Sequence, residues 1–147
     1  MLVALDTSVL AYAENTNGAD MQQAANDLLN RLLPESTLIP VQALGELFNV
    51  LVKKAGWTGK RARKAAISWR ASYPLIESSE AVMVAALELA VDRRLRIWDA
   101  VILSAAADAR CRLLLSEDLQ NGFTWSGVTV ANPFAPSRHP LLDAMLT

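Results

Sequence analysis

Two short, uninterrupted apolar runs, Leu2-Val3-Ala4-Leu5 and Leu113-Leu114-Leu115, constrain the fold of this chain more than any other feature. A strand with one wet face alternates apolar and polar residues, whereas a strand covered on both faces in a parallel sheet reads as continuous aliphatic sequence. Both runs are of the second kind and are read as central strands. Leu38-Ile39, after the turn Pro34-Glu35-Ser36-Thr37, and Val128-Thr129-Val130, before Asn132-Pro133, read as shorter strands. Between them the apolar period changes to 3.6, and helices are expected near 9–14, 19–33, 41–55 (ended by Gly56), 60–71, 80–94 and 98–110. Ser79 reads as the N-cap of the fifth helix, with Glu80 favourable in its first turn. Strands separated by helices predict an α/β layered domain with a mostly parallel sheet.

The 147 residues are expected to form one domain, with 133–147, which contains Pro136 and Pro140, as a loosely packed extension. A chain of this length buries roughly 68–70% of its unfolded surface and needs no disulfide staple. With Cys111 and His139 as its only thiol and imidazole, it cannot assemble a zinc finger or ribbon, so any metal must be held by oxygen. The uncharged stretch 100–107 is far short of the ~20 residues a bilayer requires. The first residues lack the basic segment of a signal peptide, so a cytoplasmic location without membrane contact is expected. A net charge of −1 conceals an asymmetry. Between Glu46 and Glu77 there is no acid, while Lys53, Lys54, Lys60, Arg61, Arg63, Lys64 and Arg70 supply seven cations. That stretch is either a solvated helix face or a patch that meets phosphates or an acidic partner.

In an open parallel sheet, ligands sit beyond the carboxyl ends of the strands. The first run ends in Asp6-Thr7-Ser8 and the run at 113–115 ends in Ser116-Glu117-Asp118, which places carboxylates twice at one sheet edge. Either alone reads as an N-cap or turn residue. Asp99 lies in line with Ile102, Leu103 and Ala106, an expensive position for a carboxylate unless it caps its helix, is paired or binds metal. Glu46 reads locally as a surface residue, because the stripe Leu44, Leu47, Phe48, Leu51 points away from it. It follows the strand Leu38-Ile39 closely enough to be aimed at the same edge.

The ordered set resembles the PIN-domain nucleases, and among them the VapC toxins of toxin–antitoxin pairs. It comprises Asp6-Thr7-Ser8-Val9-Leu10, Glu46 in Ala43-Leu44-Gly45-Glu46-Leu47, Trp98-Asp99-Ala100 opening an alanine-rich helix, Leu115-Ser116-Glu117-Asp118, and Val130-Ala131-Asn132-Pro133-Phe134. The resemblance implies a PIN-like three-layer α/β/α sandwich and Mg²⁺- or Mn²⁺-dependent cleavage of RNA by a homodimer that a small cognate antitoxin protein holds inactive. It matches Asp6, Glu46, Asp99 and Asp118 to an acidic quartet and Ser8 to the hydroxyl after the first Asp; Ser116, Glu117 and Asn121 stand as auxiliaries. Asp6 and Asp99 are expected to be the principal metal ligands, with Asp118 and Glu46 holding a second metal or orienting waters. Lys53, Lys54, Lys60, Arg61, Arg63 and Lys64 are candidates for RNA phosphate contacts. Converging carboxylates should repel one another, raising their pKa values.

Rival readings fit less well. A receiver-like phosphoacceptor domain carries a lysine after its last strand, and no lysine follows Lys64; a haloacid-dehalogenase-like phosphatase needs a second Asp where Ser8 stands. A Ser/His hydrolase would have to recruit His139, and no glycine-rich phosphate loop occurs. A non-catalytic PIN-like binding module, keeping the fold while its acids serve structure, is the competitor from another class. The four tryptophans, Trp57, Trp69, Trp98 and Trp125, read as packing residues in preference to base-stacking ones.

Overall fold

The two aliphatic runs lie side by side at the centre of a six-stranded sheet in the computed structural model, which describes residues 1–146. The strands are β1 Val3–Leu5, β2 Thr37–Pro40, β3 Leu75–Ile76, β4 Leu113–Leu115, β5 Thr124–Trp125 and β6 Val128–Ala131, in the order β3-β2-β1-β4-β6-β5. Every neighbouring pair is parallel except β5 against β6. Val3, Ala4 and Leu5 face Leu113, Leu114 and Leu115, and none of the six is more than 1% exposed. Burial on both faces explains why neither strand carries a polar residue.

Among the described residues, seven α-helices flank the sheet to make a three-layer α/β/α sandwich: α1 Thr7–Ala13, α2 Ala19–Arg31, α3 Val41–Lys53, α4 Gly59–Ser72, α5 Glu80–Arg93, α6 Ile97–Asp108 and α7 Pro140–Leu146. The helix α6 is buried continuously from Ala100 to Ala106, as expected of a helix apolar on all sides. Ser79 caps α5, its side chain accepting a 3.2 Å hydrogen bond from the Val82 N–H. Among the described residues, no helix is long and apolar enough to cross a membrane.

The topology positions the site. From β1 the chain steps outward through β2 to β3, then returns through α5 and α6 to place β4 on the other side of β1. Strand order therefore reverses between β1 and β4, and the crevice at such a switch point is where open α/β sheets receive ligands. Asp6 leaves one of these strands and Ser116-Glu117-Asp118 the other.

Three elements went unread in the sequence, and one expectation needs correction. Strands β3 and β5 have two residues each, too few to show a period. Of the expected loose extension 133–147, Thr147 lies outside the described residues, and within 133–146 α7 buries Leu142 at 0% and Leu146 at 7% exposure against the core. Pro140 occupies the first helical position, where its missing N–H costs nothing. His139 caps the same helix, its Nδ1 accepting from the Leu141 N–H at 3.1 Å.

Candidate metal centre

Asp6 is held where β1 becomes α1. It is the N-cap of α1, with Oδ1 accepting from the Thr7 N–H at 2.7 Å, while its own N–H donates to the Leu115 carbonyl at 3.0 Å across the β1–β4 seam. Its Oδ2 accepts from the Ser116 hydroxyl at 2.5 Å. The Ser116 oxygen also receives the Asp118 and Leu119 N–H groups, at 3.1 and 3.4 Å, so one serine fixes Asp6 and the turn that presents Asp118. Ser8 ties the same two strand ends together, accepting from the Glu117 N–H at 3.2 Å.

Glu46 comes from the second turn of α3, and its Oε2 accepts a 2.8 Å hydrogen bond from the Thr7 hydroxyl. Asp99 is the third residue of α6. It is not the N-cap, which is Arg96, and no hydrogen bond engages its carboxylate. The four acids share a field: Asp118 acts electrostatically on Asp6, Glu46 and Asp99, Glu46 on Asp6, and Asp99 on Glu46. Asp6 is 2% exposed, Glu46 and Asp99 are half-buried, and Asp118 is exposed.

Burial pushes Asp6 from the usual 3.8 to about 7, against the hydrogen bonds from Ser116 and Thr7, with Asp118 and Glu46 adding to the rise. Burial also leads the upward shift of Glu46, opposed by the Thr7 hydrogen bond and increased by Asp99. For Asp99 burial again comes first, with Arg96 pulling down and Asp118 pushing up. The sequence reading took repulsion as the cause, but desolvation exceeds it at each of these three positions.

Of the auxiliaries, Ser8 and Ser116 lace the two strand ends together. Glu117 is taken by the Tyr12 hydroxyl, and the Tyr12 ring meets Phe134 edge-on at 5.0 Å. Asn121 braces the sheet exit, its Oδ1 accepting from the Asn132 N–H at 2.9 Å. The cations Lys53, Lys54, Lys60, Arg61, Arg63 and Lys64 are all exposed, at the end of α3 or on α4. Arg61 lies 3.6 Å over the Trp57 ring, and Lys54 borders a cleft that also contains Asp118. Two contributors went unread: Thr7, whose position between Asp6 and Ser8 was the available signal, and Arg96, three residues before Asp99, whose charge acts on Glu46 and Asp99.

The donor set is all oxygen, which suits a hard cation such as Mg²⁺ or Mn²⁺. Among the described residues, no three His, Cys, Asp or Glu side chains stand together as a ready-made metal cage. A cation of that class keeps several waters and binds through one or two carboxylates. The uncommitted carboxylates of Asp99 and Asp118 are the groups free to bind it, and positive charge there would relieve the raised pKa values.

Fold and site together define a layered α/β protein with an all-carboxylate centre at the switch point of a parallel sheet. Residues 3–121 match the family profile of the PIN domain. The chain belongs to the PIN domain family. Solved structures with the same fold include Mycobacterium tuberculosis VapC20, described as a sarcin-ricin loop cleaving toxin, at TM-score 0.66 and 21% identity over 79% of this chain and 89% of that one. A toxin–antitoxin complex from Klebsiella pneumoniae has TM-score 0.64 and 22% identity over 90% and 98% of the two chains. FitAB bound to a DNA fragment has TM-score 0.69 and 16% identity over 94% and 99%. Among curated protein sequences, no relative is found.

Proposed function

We propose that this chain is a cytoplasmic, Mg²⁺- or Mn²⁺-dependent endoribonuclease, acting as the toxin of a toxin–antitoxin pair. The observation that supports the reading is a buried Asp6 at the β1–β4 switch point, on which Glu46 and Asp118 act electrostatically while Asp118 also acts on Asp99, although no three of these acids stand together as a ready-made cage. A protein that needed these acids only for structure would gain nothing from keeping them mutually repulsive and partly desolvated. The toxin assignment is supported by the solved neighbours, which include a toxin–antitoxin complex and a sarcin-ricin loop cleaving toxin.

Asp99 and Asp118, whose carboxylates make no hydrogen bond among the described residues, would hold the cation; Asp6, expected from the sequence to be a principal ligand beside Asp99, would instead join Glu46 in orienting its waters, since their carboxylates are engaged by Ser116 and Thr7. A cation held there would supply an acidified water and charge stabilisation for phosphodiester hydrolysis. The chain's own part is to align the phosphate. Arg96, beside Glu46 and Asp99, and the exposed cations of α3 and α4 offset the negative field that would otherwise repel RNA. The stripe Val84, Leu87, Val91 on α5, exposed at 51%, 53% and 78%, supports a second copy of the chain as a further partner.

The test is cleavage of total RNA by purified protein with Mn²⁺, followed by mapping of the new ends. Discrete ends that vanish in excess EDTA are expected. Cleavage that persists in EDTA, or intact RNA at saturating metal, would overturn the proposal.

A further inference from the structure

A second cleft, of about 380 Å³, lies away from the carboxylate centre, where α6 ends and β6 begins; its lining includes Ala81 and Ala85 of α5, Ser104 and Asp108 of α6, Arg110 and Trp125. Asp108 closes the helix that carries Asp99 near its start, about 13 Å away along the axis. Ser104 is 3% exposed, and its Oγ is the only buried side-chain polar atom without a hydrogen-bond partner among the described residues. A buried hydroxyl left unpaired costs ~1–3 kcal/mol, and a molecule in the cleft can supply the missing bond. Asp108 and Arg110 are exposed and neither forms an ion pair, Arg138–Asp143 being the only one among the described residues. Asp108 is moreover the last residue of α6, where the helix dipole opposes an acid.

The backbone around the cleft is fixed. The Cys111 N–H donates to the Ala106 carbonyl at 2.9 Å and the Arg110 N–H to the Ala107 carbonyl at 3.0 Å, a Schellman closure that sets Arg110 at φ 62°. Ser126 at φ 49° and Gly127 at φ 85° make the two-residue turn that pairs Trp125 with Val128. Arg110 and Ser126 both line the cleft, so two of the four non-glycine residues with positive φ among those described meet at one place, as strained backbone does at ligand sites. A half-buried indole, small alanines that leave room for a flat ring, a carboxylate that accepts and a guanidinium that donates match one ligand class. Guanine offers neighbouring N–H donors at N1 and N2 and acceptors at O6 and N7, whereas adenine carries an acceptor at N1 and a donor at N6.

We propose that this cleft binds a guanine base, with Asp108 accepting from N1 and N2, Arg110 donating to O6 and N7, Trp125 stacked on the ring and the Ser104 hydroxyl making its missing bond at the buried end. Each uncommitted polar group of the cleft then has a partner of the opposite kind. The site shares no residue with the carboxylate centre, so it stands or falls separately from the nuclease reading.

The test is calorimetric titration of guanosine, inosine and adenosine monophosphates into the full chain in EDTA. Affinity should fall in that order, since inosine lacks the N2 amino group and adenosine the N1–H as well. Asp108→Ala should weaken guanosine monophosphate at least ~10-fold, as expected for lost hydrogen bonds to a charged group. Asp92→Ala, which removes an exposed acid at the other end of α5, should leave that affinity unchanged. Ser104→Ala should weaken binding several-fold while the ligand-free protein melts at the same or a higher temperature, a split that a serine needed only for packing would not give. Equal affinities for the guanosine and adenosine nucleotides, no binding of guanosine monophosphate, or an unaltered affinity in Asp108→Ala or Ser104→Ala overturns the proposal. A single-stranded oligonucleotide with one guanine then competes with guanosine monophosphate. Displacement makes RNA the source of the base and retention makes it a free nucleotide; both results uphold the guanine site.

Discussion

Raising the pH should destabilise the metal-free protein, and Asp6 should be the main reason. Its carboxyl is 2% exposed and its pKa lies at about 7 in the folded state, against the usual 3.8. Between those values the folded protein holds a proton that the unfolded chain has released, so stability falls as pH rises. The favourable contribution is complete below about 3.8 and is gone once pH passes the folded value of about 7. At ~1.4 kcal/mol per pH unit, the whole gap corresponds to about 4 kcal/mol, and about 3 kcal/mol of it falls between pH 5 and pH 8. For a domain of this size that is a drop of roughly 6–12 °C in melting temperature. The assay is denaturation in EDTA across pH 5 to 8, for wild type and Asp6→Asn. The variant loses the Ser116 hydrogen bond geometry at every pH, a constant offset, but it lacks the titration. Wild type should fall by about 3 kcal/mol more than the variant across the window. Parallel curves would refute the reasoning, since they would mean that Asp6 is ionised at no special cost.

Ser116→Ala should cost about 2–3 kcal/mol by chemical denaturation, because it strands two backbone N–H groups and removes a donor from Asp6; it should also move the pH dependence to higher pH. Thr7→Val, which keeps the side-chain shape but removes the 2.8 Å bond to Glu46, should lower thermal stability by about 1 kcal/mol and raise the Glu46 pKa further, read by carboxyl NMR. Leu142→Ala should destabilise by about 2–5 kcal/mol, as expected for a fully buried leucine; no change in the melting curve would return 133–147 to the status of a loose extension.

The sequence exposed the centre of this fold more fully than its edges, for physical reasons. Strands β1 and β4 are buried on both faces, so every residue had to be aliphatic and the signal survived in three or four letters. Edge strands β3 and β5, with two residues each, carry no such requirement. Helix α7 was hidden because Pro140 looks the same in sequence whether it ends a segment or begins a helix. Within the site, Asp6 was legible from its place at a strand end. Glu46 was not legible locally, since the partner that holds it, Thr7, lies 39 residues earlier in the chain. Asp99 was ambiguous between cap and ligand until the start of α6 fell at Ile97, two residues before it. Like-charge repulsion is what a list of acids suggests; that burial shifts them more became visible only when the packing around β1 and α6 was known.

Calorimetric titration of Mn²⁺ into wild type and Asp99→Asn at pH 7.5 tests most directly whether the Asp99 carboxylate receives a divalent cation. Asp99 is half-buried, engaged in no hydrogen bond and next to Asp118 in electrostatic terms, so replacing its charge by a neutral amide should leave the fold intact. Wild type should bind Mn²⁺, and the variant should bind it at least ~10-fold more weakly while melting at the same or higher temperature without metal. Equal affinities in the two proteins, or no binding by either, would contradict the metal-centre reading.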